Sequence, residues 1–530
     1  MQHGNNFIIL ATPAPISHRT AEENLGLGYL AATLREKGYE VEIIDGWLTG
    51  LTPKQLASKI LTRKNPLFVG FSAYQSNMDM AIQTVNAVKK ERIDIPFIAG
   101  GFGPTFNQND FLNAGFDIAV RGEGEETLPL LAQHFQDNSV KLEEINNISY
   151  EDENGNVVNN PLAPLSTNLD ELPYPARDTM QFAIDRRTPV HVLTARGCTG
   201  SCLFCSINAF FRLSKTKKYR QRSVDNIVGE LENLKSMGVQ HIKIIDDSFI
   251  DGNRDEKWCE DFANAIQEKK LKFLLRGSIR ADKITDKILF NLKKAGFFSF
   301  SCGVENFSET ALKRMNKGAN LQQNLNALDL FKKYHIYVQA GQILFDPETT
   351  LQELNENYQY MKKYDWIISK GVFTEMFAAE GTSFTKLIDK KHWKTSNTHQ
   401  MGNYKYRIID EKVNNAHDAL KKWHISHMGL YDKAIDPLTS PKALSKEELK
   451  IFYDIYMKIR HKDLEIMGGV LERVENHDRE MLMSYIEQAN IQNSEFYKNI
   501  NKEVSQAYKL CNLQYDAKIN PFFLDGKSKQ

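Results

Sequence analysis

Three of the six cysteines, Cys198, Cys202 and Cys205, crowd into one short stretch in the order CxxxCxxC. They follow a short apolar run, so the three thiols sit on a loop at a strand end, where they can face one centre. A structural zinc site usually takes four ligands, and three thiolates fall one short. An iron–sulfur cluster held by three thiolates keeps one iron open, and an open metal position serves chemistry. A zinc loop completed by a histidine, or plain buried cysteines, is the alternative. Cys259, Cys302 and Cys511 are scattered. That is no disulfide scaffold and suits a reducing, cytoplasmic setting.

The elements that must position these thiols read as strand–helix alternation. Strands are expected at 7–10, 41–45, 67–72, 96–101 and 117–120, with helices at 24–37, 53–62 and 78–91 between them. This spacing predicts an α/β chain that opens with a doubly wound, Rossmann-like parallel sheet over residues 1–140. Ligands of such sheets bind beyond the carboxyl ends of the strands. Those ends carry Ala11–His18, Ser72–Asn77, Gly100–Phe106 and Arg121–Glu126. A linker follows at 141–185, with a possible hairpin around Asn154-Gly155 and the stretch Leu172-Pro173-Tyr174-Pro175-Ala176-Arg177-Asp178. A second alternation, with strands expected at 191–194, 241–246, 272–278, 298–303, 337–344 and 366–374, predicts a partial (β/α)6 TIM-like barrel over 186–390. Residues 391–530 show helical periodicity and read as a mainly helical C-terminal region.

The chain has 530 residues, with 67 Lys+Arg against 67 Asp+Glu. A zero net charge argues against a global electrostatic grip on nucleic acid or on an anionic membrane. No apolar run is long enough to span a bilayer, and the first residues, Met1 to Asn6, lack the basic start of a signal peptide.

The segment Thr194-Ala195-Arg196-Gly197-Cys198-Thr199-Gly200-Ser201-Cys202-Leu203-Phe204-Cys205 resembles the signature of the radical S-adenosylmethionine enzymes. The resemblance implies a [4Fe–4S] cluster on Cys198, Cys202 and Cys205. Its open iron would bind S-adenosylmethionine, whose cleavage yields a 5′-deoxyadenosyl radical that takes hydrogen from an unactivated carbon. Ile244-Ile245-Asp246-Asp247-Ser248-Phe249, Arg280 in Arg276–Asp282, and Glu305 in Gly303-Val304-Glu305-Asn306 fit the pattern of the subfamily with an N-terminal Rossmann-like domain. Phe204, Asp246, Arg280, Glu305 and Gln342 are therefore the expected S-adenosylmethionine contacts, with Asp247 as an equal candidate to Asp246. Carboxylates can accept from the cofactor's ammonium or ribose diol, and arginine can pair with its carboxylate. At the fifth strand, Phe345-Asp346 departs from the family, which often has glycine there.

Residues 24–127 resemble the cobalamin-binding domain that precedes the radical domain in one large subfamily. The matching stretches are Asn24–Ala31, Gly100–Thr105 and Val120–Thr127. The resemblance implies cobalamin contacts at Ser72, Tyr74, Gln75, Gly100, Gly101, Gly103, Gly122 and Glu123. Glycines after strands let backbone approach a flat, bulky ligand. The cobalt-ligating DxHxxG motif of other cobalamin proteins is missing. His18 stands in the right loop, with no Asp two residues before it and with Ala21 in place of the glycine. The resemblance thus implies binding without a histidine on the lower face, with the Ser72–Asn77 loop covering it.

The implied activity is cobalamin-dependent methylation of a small-molecule or natural-product carbon, with flavodoxin or ferredoxin as reductant. The same cofactors also serve cyclisation, rearrangement or oxidation. A methylthiotransferase acting on transfer RNA is disfavoured, because such an N-terminal domain carries cluster cysteines and here the first cysteine is Cys198. A non-catalytic cobalamin or metal sensor is the reading from another class. Trp393, His417, Trp423, His424, His427 and Tyr431 could line a substrate site if the C-terminal helices close over the barrel mouth. Core packing is the preferred reading of that set. Ser223 is expected to cap a helix.

Overall fold

The computed structural model describes residues 6–15, 22–74, 76–214, 218–400, 403–439 and 442–514. His18, Ala21, Gln75 and residues 215–217 lie outside the described residues. Among the described residues the N-terminal sheet has seven strands: β1 (Phe7–Thr12), β2 (Glu40–Asp45), β3 (Val69–Ser72), β4 (Phe97–Gly100), β5 (Ile118–Val120), β6 (Ile148–Glu151) and β7 (Val157–Asn159). Their order is β2-β1-β3-β4-β5-β6-β7. The first five run parallel, and β6 and β7 pair antiparallel on the β5 edge. The hairpin expected in the linker therefore belongs to this sheet, which runs past residue 140 to Asn159.

β1 is buried along its whole length, as a strand covered on both faces must be. Ile8 and Leu10 pack toward the helix Leu25–Glu36, while Ile9 and Ala11 pack toward Pro53–Leu61 and Met78–Lys89. Local chemistry sets the helix ends. The Asn24 side chain accepts from Leu27 N–H, and Thr52 and Gln55 form a capping box ahead of Pro53. The strand order reverses between β1 and β3, which places a crevice beyond their carboxyl ends.

The chain next forms β8 (Val190–Val192) and an antiparallel hairpin of β9 (Ala195–Gly197) and β10 (Tyr219–Gln221), which brackets the cysteine loop. The second parallel sheet comprises β8, β11 (His241–Ile244), β12 (Leu274–Arg280), β13 (Phe297–Glu305) and β14 (Tyr337–Gln342), in the order β14-β13-β12-β11-β8. The sixth strand expected at 366–374 is reduced to a ragged edge. Ile368 and Thr374 carbonyls accept from Ala340 and Leu344 N–H at 2.8 and 2.9 Å, with single bridges at Ile368 and Glu375. The region keeps partial-barrel topology with five full strands. One face of these strands is apolar and joins the main core through Leu275, Phe300, Cys302, Val304, Val338 and Ala340. The alternate positions are Arg276, Ser278, Arg280, Ser299, Ser301, Gly303, Glu305, Gln339 and Gly341, so the barrel interior is polar.

The linker straps the two sheets together. Ala176 N–H donates to Gly28 O at 3.0 Å, and a Cβ on Gly28 would stand 2.7 Å from the Ala176 carbonyl oxygen. Arg35 makes a two-pronged pair with Asp178. Arg177 donates to Glu23 and Glu230, one on each side of the junction. The C-terminal region is helical at Glu411–Ser426, Met428–Thr439, Lys446–Arg473, Arg479–Gln492 and Ser494–Leu510. It also holds a hairpin, β15 (Lys394–Gln400) and β16 (Asn403–Tyr406), that the helical periodicity does not signal. These helices buttress the ragged sixth-strand edge. Tyr431 and Tyr456 hydroxyls and the Arg460 guanidinium all reach the 365–369 backbone or Ser369. Among the described residues these helices do not line the barrel cavity; the part of the region that reaches its mouth is the hairpin, whose Tyr404 and Tyr406 join Trp393 in an apolar cluster with Leu203 and Phe204 of the cysteine loop.

Candidate active site at the junction of two cavities

The cysteine loop is built to a fixed shape. Gly197 has φ +87°, and a Cβ there would lie 1.9 Å from the Lys218 carbonyl oxygen, so only glycine fits. Gly197 N–H donates to Asp247 and Thr199 N–H to Asp251, each at 2.9 Å. From the far side, Leu203 N–H donates to Met315 O at 3.0 Å, and the Asn316 amide donates to Ser201 O at 2.9 Å. All three thiols face one cavity at the carboxyl ends of β11–β14. Burial pushes Cys198 up to about 11 and raises Cys202 and Cys205 as well. A cluster would take them as thiolates, so loading it releases protons. The donor set, three thiols on one wall of a cavity with polar groups opposite, fits an open-site cluster.

Phe204, Arg280 and Glu305 line that cavity with the thiols, together with Asp247, Ser278, Ser301, Gln339 and Lys317. Arg280 is held by a two-pronged pair with Asp282, and its Nη1 points at Thr199 Oγ1 (3.3 Å) and Cys198 Sγ (3.8 Å). Glu305 has φ +63°, a strained backbone for a residue with a side chain. Its carboxylate accepts from buried Lys317 Nζ at 2.9 Å. A Cβ on Gly303 would stand 2.6 Å from both atoms of that pair, so the glycine makes room for it. Burial lowers the Lys317 ammonium, but the Glu305 charge more than compensates and holds it above the ordinary value. Carboxylate, ammonium and guanidinium on one wall, with two serines beside them, fit the zwitterion and diol of S-adenosylmethionine.

Two expected contacts fall elsewhere. Asp246 is buried in an ion pair with Arg254 and accepts from Thr194 N–H and its hydroxyl. It braces β8 against β11, and Asp247 is the one that faces the cavity. Gln342 does not line the cavity. Strand alternation puts Gln339 and Gly341 on that face instead.

A second cavity opens at the switch point of the N-terminal sheet. Ser72, Tyr74, Gly100, Gly101, Gly122 and Glu123 line it, as do Gly26, Gly70 and Gly124. A Cβ on Gly100 would meet nothing nearer than 3.8 Å, and one on Gly122 nothing within 4 Å, so this floor is left open for a ligand. Tyr74, Phe102 and Phe210 stack successively over the cavity, with Phe102 and Phe210 centroids 4.6 Å apart. A glycine floor beneath an aromatic wall fits a broad flat macrocycle such as the corrin of cobalamin. Gly103 is set back from it: its N–H donates to the Ala73 carbonyl at 3.0 Å, and a Cβ there would lie 3.2 Å from that oxygen. No histidine stands among the described lining residues. Glu123 lines the cavity but is committed to the junction: it accepts from Arg220 and Arg196, and Arg196 also donates to Glu125 at 2.6 Å. Burial raises Glu123, but the Arg196 and Arg220 charges hold it below the carboxylate range.

The two cavities share Ile207 and Asp247. Asp247 is open to the cavities yet enclosed by protein, and that desolvation pushes its carboxyl up to about 6. Trp423, His424, His427 and Tyr431 line neither cavity. Trp423 is fully buried and donates to Asp463. Ser223 caps the helix Val224–Ser236, as expected.

Residues 17–132 match the B12 binding domain and residues 192–361 the Radical SAM superfamily. Over 347 residues the chain is 31% identical to an uncharacterized methyltransferase of Pyrococcus horikoshii, PH0819, covering 64% of this chain and 73% of that protein. It is 28% identical over 418 residues to the 4'-phospho-dehydrooxetanocin synthase of Priestia megaterium, covering 73% of this chain and about half, 54%, of that one. The solved structure of the cobalamin-dependent S-adenosylmethionine radical enzyme OxsB, with aqua-cobalamin bound, superimposes with a TM-score of 0.78 at 20% identity. It covers 97% of this chain and 85% of that one. The chain is a radical S-adenosylmethionine enzyme with a cobalamin-binding domain. It belongs to the cobalamin-dependent group, whose cofactors are a [4Fe–4S] cluster, S-adenosylmethionine and cobalamin. No helix among the described residues is long and apolar enough to cross a membrane.

Proposed function

We propose that this enzyme transfers a methyl group to an unactivated carbon of a small substrate held between its two cavities. The observation that carries the reading is the shared wall at Ile207 and Asp247, which lets one substrate touch both cofactors. When bound, the cofactors supply a hydrogen-abstracting 5′-deoxyadenosyl radical on one side and a transferable methyl group on the other. Cys198, Cys202 and Cys205 would hold the cluster. Glu305, Lys317, Arg280, Ser278 and Ser301 would orient S-adenosylmethionine, and the floor of Gly70, Gly100 and Gly122 would take the corrin. Asp247 accepts a hydrogen bond from a substrate hydroxyl or amine and fixes which carbon faces the radical. Leu193, Ile245, Ile207 and the Phe210–Phe211 pair exclude water from the junction. An acidic one-electron donor of the flavodoxin or ferredoxin class supplies the reductant.

The name of the Pyrococcus relative supports methyl transfer. The Priestia relative is named a synthase and not a methyltransferase, which keeps a second outcome beside the first: oxidation or rearrangement without methylation. Anaerobic turnover of a small polar metabolite pool with S-adenosylmethionine carrying a CD3 methyl separates them. Methylation predicts a product that gains a labelled methyl group. A product with no label, formed alongside 5′-deoxyadenosine, supports the second outcome. A protein that binds zinc and makes no 5′-deoxyadenosine would be a sensor.

A further inference from the structure

The other end of the barrel carries a groove that the proposed reaction does not use. It is lined by Phe298 and Tyr337 at the amino ends of β13 and β14, by Trp366 and Tyr453, and by Lys293, Lys332 and Lys446. Phe298 and Glu305 are seven residues apart on one strand, so the groove lies about 23 Å from the cluster cavity at ~3.3 Å per residue. Its volume is about 480 Å³, against about 280 Å³ for each cofactor cavity. The aromatic wall is pinned. Tyr453 OH donates to Trp366 O at 2.6 Å, and the Tyr337 and Tyr453 rings meet edge-on at 5.3 Å.

The charges are one-sided. Among the described residues no carboxylate lines the groove and none stands within ion-pair distance of these three ammoniums, although Asp454 and Asp365 lie close enough to act on Tyr337 and Tyr453, and Glu447 on Lys446. Neighbours on the same helices do find carboxylates: Lys333 pairs with Asp286 and Lys450 with Asp454. Lys332 Nζ stands 5.9 Å from the Trp366 ring, and Lys293 Nζ donates to the His335 carbonyl at 3.1 Å. Burial and the charge of Lys446 lower the Lys293 ammonium, so Lys293 and Lys446 repel across the groove. An anion between them would relieve that repulsion, and a planar ring would fill the space against Trp366 and Tyr453.

We propose that this groove is a second ligand site, for a planar aromatic ring carrying a phosphate or similar anionic group. It is separate from the active site and independent of the reaction assigned there. The test is calorimetry on the reconstituted holoenzyme saturated with S-adenosylmethionine, using AMP and 1-naphthyl phosphate as probes. Adenosine and inorganic phosphate are the half-ligand controls. Both ring phosphates are expected to saturate one site per chain, more tightly than either half. Lys293→Ala and Lys446→Ala should each weaken them about tenfold with iron content unchanged. Trp366→Phe should remove the accompanying quench of tryptophan fluorescence. No saturable binding of either probe, binding indifferent to both lysine changes, or inorganic phosphate binding as tightly as AMP would each overturn the proposal.

Discussion

Cys198, Cys202 and Cys205 have burial-raised thiols, and Glu305 has a strained backbone and an ammonium partner. On the proposed reading, these residues are completed by a cofactor. Replacing any one cysteine with serine is expected to drop iron from about four per chain to near zero on anaerobic reconstitution. Iron analysis after desalting reads this directly. Glu305→Gln keeps the size but leaves Lys317 without its counter-charge. S-adenosylmethionine affinity should fall at least about tenfold while iron stays. Equal affinity would remove Glu305 from the cofactor wall. The cysteines are legible in the sequence because three thiols at that spacing after a strand can face one centre, and the resemblance then implies the cluster. Lys317 is not legible, because it enters from a turn after a helix, and no pattern in Arg314–Gly318 marks it. The swap of Asp246 for Asp247 comes from a local decision: Arg254 claims the first carboxylate, and nothing before residue 254 shows it.

At the scale of elements, two glycines separate folding from binding. Gly197 is required by the β9–β10 hairpin. Gly197→Ala drives a methyl group into the Lys218 carbonyl and should cost more than about 3 kcal/mol together with cluster loading. Gly100→Leu intrudes only on open space. It is expected to leave iron and fold intact and to raise the cobalamin Kd by about a hundredfold or more. The helix Glu411–Ser426 is tied to the sixth-strand edge by His417 and Glu375, 2.6 Å apart. Burial raises Glu375, but the His417 hydrogen bond brings it down to about 2. Burial lowers His417, but bonds to Asp418 and Glu375 lift it above the ordinary value. The Glu375 share of stability is therefore present above about 4.5 and lost as pH falls toward 2. The His417 share is present below about 6.5 and lost as pH rises through its raised value. Thermal unfolding of the wild type should lose about 1 kcal/mol, or roughly 2 °C, above that pH relative to His417→Gln. A parallel pH profile in the variant would contradict this. The parallel strands were readable from apolar runs and intervening helices. The ragged sixth strand and the β15–β16 hairpin were not, because short edge segments are decided by what packs on them.

Across the whole molecule, the two sheets are joined by charge as well as by the linker. Glu123 and Glu125, on the loop that borders the N-terminal cavity, hold Arg196 just ahead of Cys198 and Arg220 on the returning strand. Sequence resemblance gives Glu123 as a cobalamin contact. Only the assembled junction shows it as a clamp, because its partners lie about 70 to 100 residues away. Arg196→Gln is expected to weaken cobalamin binding and to disturb the electron paramagnetic resonance of the cluster together, which a purely local contact would not do. The central claim is that one chain assembles both cofactor sites around one shared space. The most direct test is to reconstitute the protein anaerobically, add hydroxocobalamin, desalt, and measure cobalamin and iron per chain in the wild type and in Gly100→Leu. The account predicts one cobalamin beside about four irons in the wild type, and about four irons with no retained cobalamin in the variant. A wild type that keeps its iron and retains no cobalamin, or a Gly100→Leu protein that retains it as well, would contradict the account.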